Sequence, residues 1–300
     1  MKTKQSIKPG ILIIFLLSHF LALGQELLQV YTVNYPLAYF CARLGNPWVE
    51  VHFPIDKGVD PAHWRPDQQT VARYQAADLI LLNGAQYASW TERYSLSPIK
   101  TVNTMKKHEA FFIYSGEEIT HSHGPEGAHS HAALASLTWM DMKIAALQAE
   151  SISKSLQRKQ PEHRAEIQEN FERLKADLYA LDSGFKTLSE RFHGKKGLGA
   201  HPDYSYFAKA YGLDIESFSW TGQQYPSPSQ WTALEAKVQK EGIKFMVWNR
   251  SPHPDIAERL KKMGLEVLVL NTGATKPEKG DFIELMEHNL SALETLSTKI

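Results

Sequence analysis

Between Pro161 and His193 the apolar residues Ile167, Phe171, Leu174, Leu178, Leu181, Phe185, Leu188 and Phe192 recur in an unbroken alternation of four and three. That spacing predicts one continuous helix with a single buried stripe. Pro161 suits its first turn, Glu162 and Glu166 suit the positive end of the helix dipole, and Gly194-Lys195-Lys196-Gly197 supplies a stop with terminal cations. At about 1.5 Å per residue the helix would run roughly 48 Å, longer than the roughly 30 Å of a small domain, so it is expected to join two bodies. A dimeric coiled coil competes for any such repeat. Phe171, Phe185 and Phe192 on the stripe and Gly184 inside it favour a strut across flanking domains instead.

The sequence on both sides of the strut has the same alternating character. Before it, Leu28 to Val33, Trp48 to Phe53 and Asp78 to Asn83 read as strands, and Pro36 to Leu44 and Thr70 to Ala77 as helices. After it, Leu198 to His201, Leu213 to Trp220, Lys244 to Trp248 and Leu265 to Leu270 read as strands separated by helices, one opened by the capping box Ser227-Pro228-Ser229-Gln230. Strands alternating with helices predict parallel sheets. The expected organisation is a leader at 1–24, an α/β lobe at 25–160 with a histidine-rich loop at 120–132, the connecting helix at 161–193, and a second α/β lobe at 194–300.

Lys2, Lys4 and Lys8 precede an apolar run too short to span a membrane, and Ala22-Leu23-Gly24 fits a signal peptidase site, so a cleaved secretory signal is expected. Its removal takes the balance from 33 basic and 33 acidic residues to 30 against 33, which gives no electrostatic footprint for nucleic acid. Cys41 is the only cysteine, so no internal disulfide is possible, and it reads as a small buried residue. No Gly-x-Ser-x-Gly, His-Glu-x-x-His or phosphate-binding glycine loop occurs, which argues against an enzyme.

Ordered markers carry a resemblance. They are Tyr35-Pro36-Leu37, Asp60-Pro61-Ala62-His63-Trp64-Arg65-Pro66, Ala77-Asp78-Leu79 with Asn83-Gly84, His129-Ser130-His131 followed by Trp139-Met140-Asp141, His201 with Tyr206-Phe207-Ala208 and Tyr211-Gly212-Leu213, Pro226-Ser227-Pro228, and Gly280-Asp281 with Asn289-Leu290. In these the chain resembles the periplasmic substrate-binding proteins of zinc and manganese ABC transporters, the rigid-helix cluster. The resemblance implies two lobes with parallel four-stranded sheets, one long backbone helix, a monomer, a partner permease in the inner membrane, and a Zn or Mn ion held between the lobes by three histidines and a carboxylate.

Residue by residue that ligand set is altered. The implied ligand positions fall at Ala62, with His63 next to it, at Leu137, at His201, and at Asn271 in place of the carboxylate. A leucine cannot bind a metal, and an amide is a poor substitute for a carboxylate on Zn²⁺. A rebuilt site would use His201 and His63, with a further imidazole from His121, His123, His129 or His131. These last four stand among Gly, Ser, Pro and Glu, a composition that predicts a mobile loop able to capture metal weakly and to lose it in acid, near the reference imidazole pKa of about 6.5. A metal chaperone or sensor acting through this tract is the alternative function. A small non-metal ligand walled by Trp64, Trp139, Trp220, Trp231 or Trp248 is another.

Overall fold

The computed structural model describes residues 26–122, 128–218, 220 and 225–300, so the expected leader and His123 lie outside the described residues. The N-terminal lobe runs β1 (Leu28–Thr32), α1 (Tyr35–Gly45), β2 (Val49–His52), α2 (Gln68–Ala76), β3 (Leu79–Leu82) and β4 (Thr101–Asn103). Its strands pair in parallel in the order β2-β1-β3-β4. The side chain of Asn34 accepts from the Leu37 N–H and starts α1; Asp67 does the same for α2 through Thr70. The Leu-Ile-Leu-Leu run of β3 is buried over its first three residues, as a strand covered on both faces requires.

Within the histidine-rich tract the described residues 120–122 and 128–132 are strand rather than loop, and 123–127 lie outside the described residues. β5 (Tyr114–Ser122) and β6 (Ala128–Leu134) pair antiparallel as a separate two-stranded ribbon, with His121 opposite His129 and Ile119 opposite His131. Ladder hydrogen bonds are made by the backbone, so a polar, histidine-rich segment can pair without a hydrophobic face of its own.

Next come α3 (Met142–Lys159) and α4 (Arg164–Ser189), then the second lobe: β7 (Lys196–Gly199), α5 (Ser205–Tyr211), β8 (Asp214–Ser217), α6 (Pro228–Glu241), β9 (Phe245–Trp248), α7 (Pro254–Lys262), β10 (Glu266–Val269) and α8 (Phe282–Ser297). The order is β10-β9-β7-β8, all parallel. Counted from each lobe's own first strand, both sheets therefore run second, first, third, fourth. The expected α/β class with two parallel four-stranded sheets is what the chain adopts.

The strut is α4, with 26 α-helical residues, about 39 Å long. It is shorter than 161–193 because Pro161–His163 and Glu190–Phe192 wind as 3₁₀ turns at its ends. Every residue of the predicted stripe is buried. The stripe packs on α1, α3 and α8 of the same chain, which leaves nothing for a coiled-coil partner. A Cβ at Gly184 would stand 2.8 Å from Leu290 Cδ2, so the glycine lets α8 approach closely.

The core crosses the lobes. One cluster extends from Leu28 in β1 through the α4 stripe to Leu296 in α8; a smaller one lies on the other face of the second sheet. Strand β9 divides between them by its period of two, Phe245 and Val247 to the first and Met246 and Trp248 to the second. Hydrogen bonds also cross directly: Trp139 Nε1 donates to the Thr272 carbonyl at 2.7 Å, the Tyr35 N–H to the Ala274 carbonyl at 3.0 Å, the Tyr39 hydroxyl to Asp281 Oδ2 at 3.2 Å, and the Met142 N–H to the Tyr211 hydroxyl at 3.3 Å.

Candidate functional site

A cavity of about 480 Å³ opens between the lobes, walled by segments that leave the carboxyl ends of β2, β3, β7, β9 and β10. Open parallel sheets place ligands at this end because the connections there diverge and leave a crevice. From the first lobe come 58–63, Tyr87 and 134–137; from the second come Pro202, Asp203, Asn249, Arg250 and 271–275, among others.

The second lobe's wall is polar and partly desolvated. Asp203 sits in the 3₁₀ turn after β7, where burial first of all raises its carboxyl above the ordinary 3.8, with Asp60 pushing the same way and His201, an Asn249 hydrogen bond and His63 opposing. Asn249 Nδ2 donates to Asp203 Oδ2 at 3.2 Å, while the Asn249 Oδ1 is buried without a partner among the described residues. Burial likewise lowers His201 below 6.5, against the pull of Asp203 and with the help of Arg250. Its Nε2 is also buried without a partner, and the ring stands edge-on to Trp248. A neutral imidazole with an uncommitted nitrogen beside a carboxyl group is chemistry suited to a divalent cation.

The first lobe's wall is assembled from turns. Asp60 Oδ1 accepts the Ala62 N–H at 2.9 Å and Oδ2 lies 2.7 Å from His63 Nδ1, on a His63 side chain that is 87% exposed. Beyond β3, Gly84, Ala85, Gln86 and Ala88 all have positive φ, from 49° to 82°. Such geometry is natural for glycine and costs on the order of 1 kcal/mol at each of the others. At Gly84 a side chain is excluded outright, since a Cβ would come within 2.5 Å of Asn103 Oδ1. The result is to bring Tyr87 inward, with its hydroxyl buried, without a partner among the described residues, and raised well above 10 by desolvation first and then by Asp60 and Asp203. Beneath this wall Asn83 donates to the Ser136 carbonyl and accepts from Thr138 and Gln148, which fixes 134–138 against β3.

Of the residues singled out in the sequence, Ala62, His63, Leu137 and Asn271 line the cavity, and His201 adjoins it through Pro202 and Asp203. Asn271 Oδ1 accepts from the Gly273 N–H at 2.9 Å, so the amide serves its own turn. Among the described residues no group of three His, Cys, Asp or Glu is placed to close on one ion. Asp203 and Tyr87 went unnoticed in the sequence; the signal for Asp203 was a carboxylate two residues after His201. None of the tryptophans lines the cavity, and Trp139, Trp220, Trp231 and Trp248 are core residues. The remaining described histidines include packing and capping residues: His52 stacks on Tyr31, His163 on Trp48, and His253 caps α7.

Two lobes on a stiff helical spine with a cleft at their strand ends define a substrate-binding protein of the transport type. The pattern of the family described as "ZnuA: Zinc-uptake complex component A periplasmic" matches residues 30–296, and the chain belongs to that family. Its members are transporter binding components and not enzymes. High-affinity zinc uptake system protein ZnuA of Bacillus subtilis is 24% identical over 284 residues, covering 89% of this chain and 86% of its own. Zinc-binding lipoprotein AdcA of Streptococcus pneumoniae is 25% identical over 278 residues; the match takes 89% of this chain but 55% of that protein, so the chain spans about half of it. Among solved structures, the metal-dependent lipoprotein YcdH of Bacillus subtilis has a TM-score of 0.75 at 21% identity, over 89% of this chain and 98% of that one. The Zn(II)-bound ZnuA-like domain of Streptococcus pneumoniae AdcA gives 0.74 at 21%, over 90% and 99%.

Proposed function

We propose that the chain is the extracytoplasmic, monomeric binding component of an ABC importer, taking a divalent cation, zinc first and manganese second, between its lobes and handing it to a permease in the inner membrane. The observation that carries this reading is the Asp203 carboxyl on the cavity wall, acted on by His201, Asp60 and His63, next to a buried His201 Nε2 that has no partner among the described residues. It is an altered site: His201 supplies the retained imidazole, Asp203 replaces the carboxylate missing at Asn271, and the Asp60–His63 pair stands in for the imidazole missing at Ala62. Cation capture displaces the proton that burial favours on Asp203, so affinity falls in acid. A core shared by both lobes argues for capture with little closure, in contrast to hinge-closing receptors. His121, His129 and His131 on the ribbon, with His123, act as a weak collecting site.

Arg250 on the wall and the cavity's size favour one second reading, a small organic anion as cargo. Zinc calorimetry with elemental analysis on the mature chain from Gln25 separates the two. The cation reading expects one zinc per chain, weakened about tenfold or more by His201→Ala, which is about 1.4 kcal/mol. Equal affinity in wild type and His201→Ala sinks the altered metal site.

A further inference from the structure

Arg250 lines the cavity just beyond β9, exposed, with no hydrogen bond or ion pair among the described residues. Asp203 lines the same wall after β7. Its Oδ2 accepts from Asn249 Nδ2 at 3.2 Å, and its Oδ1 has no hydrogen-bond partner among the described residues. After burial, the two charges that act on the His201 imidazole are Asp203, which favours its charged form, and Arg250, which opposes it, so both stand near this ring. They do not pair with each other. A guanidinium and a carboxylate left apart in one crevice offer two complementary handles: the planar fork of the first matches a carboxylate, and the free oxygen of the second accepts from a protonated amine. No internal ion pair has to break before either is used.

The opposite wall lacks such handles. Asp60 is engaged in its own turn, by the Ala62 N–H and by His63 Nδ1. Around it Ala62, Ala135 and Leu137 line the cavity, partly buried against the edge of the core. Apolar surface of this kind gains about 25 cal/mol for each Å² that a ligand covers. The cavity, at about 480 Å³, falls in the range of roughly 300–1,000 Å³ that suits small organic molecules. Among the described residues no three His, Cys, Asp or Glu close on one point, so the charges are arranged for an extended ligand rather than for an ion.

We infer that the cleft binds a zwitterion with apolar substituents, an apolar amino acid or dipeptide, with its carboxylate on Arg250, its ammonium group on Asp203 and its side chain on Ala62, Ala135 and Leu137. The inference rests on the second reading above, an organic anion as cargo, and adds the cationic group and the apolar part. The test is calorimetry on the metal-free mature chain with L-leucine and L-leucyl-L-leucine, beside isocaproic acid, which lacks the amine, and isoamylamine, which lacks the carboxylate. Arg250→Gln is titrated in parallel, and zinc chloride is titrated separately into wild type and His201→Ala. Expected is binding of at least one zwitterion, with both single-charge analogues and Arg250→Gln about tenfold weaker or more, the size of one hydrogen bond to a charged group. The ligand-free Tm of Arg250→Gln should equal that of wild type, and the comparison of analogues needs no variant at all. Isocaproic acid binding as tightly as the zwitterions overturns the inference and leaves an organic anion as cargo. Zwitterion affinity that Arg250→Gln does not change overturns it as well. No binding of either zwitterion or of isocaproic acid, beside a zinc site that His201→Ala weakens, overturns the inference together with the organic reading and leaves the cation reading standing.

Discussion

The two lobes repeat one sheet order and yet present opposite chemistry to the space between them. On the second lobe's wall, Asp203, Asn249 and the neighbouring His201 are polar groups held at a desolvation cost. On the first lobe's wall, two of the positions implied as ligands are Ala62 and Leu137, and the nearest imidazole, His63, is turned out to solvent. Backbone topology and donor chemistry have therefore separated: the strands, caps and core that build a wall are satisfied equally well by an apolar or a coordinating side chain at its rim. If zinc is the cargo, most of its protein ligation comes from one side.

Restoring the missing side is the largest perturbation. Ala62→His with Leu137→His adds two imidazoles to a wall already fixed by Asn83, and zinc affinity should rise about a hundredfold or more, about 2.8 kcal/mol. Calorimetry reads this directly, and an unchanged affinity would mean that the walls do not face one shared ion. A smaller effect of mixed sign belongs to Asp203→Asn. Burial raises this carboxyl in the folded chain, so its contribution to stability is fully present below 3.8 and is lost as pH rises through the higher folded value. An amide does not titrate, so at pH 7 the metal-free variant should melt at or above wild type while binding zinc more weakly. Thermal melts at pH 4 and pH 7 should show that advantage shrinking in acid. The smallest effect is expected from replacing 120–132 by a short turn, which should remove weak, acid-labile zinc binding and leave the cleft's affinity within about twofold, well under the tenfold that 1.4 kcal/mol represents.

What could be read from the sequence was what repeats locally. The four-and-three stripe is a property of the helix itself, and it located α4 and every apolar residue that α4 buries, though not Asp182, which is buried beside the stripe. Ser227 and Gln230 announced a capping box that the structure contains, and the Leu79 to Leu82 run announced a strand covered on both faces. At 120–122 and 128–132 the histidine tract pairs as strand because composition records side chains, whereas the ribbon is made by backbone pairing. Asp203 and Tyr87 were hidden for another reason. A carboxylate after a proline and a tyrosine beyond Asn83-Gly84 are ordinary in isolation, and they gain meaning only when strands far apart in the chain place them around one cavity. Tryptophans drew attention as ligand walls because they are large, but size suits them equally to the core, where four of them lie.

The bond from Trp139 to Thr272 and the apolar cluster beneath it also bear on how such a chain can change over generations. Neither half can be exchanged for a homologous half without re-matching the surface on which the other rests, since Phe282, Met286 and Leu293 of α8 belong to the same cluster as Phe40 and Leu44 of α1. Variation is then steered away from the body of the molecule and toward the rim of the crevice, where partly buried side chains such as Ala62 and Leu137 rest on the edge of the core and not within it. A scaffold of this kind can hold its shape while the rim of its crevice changes.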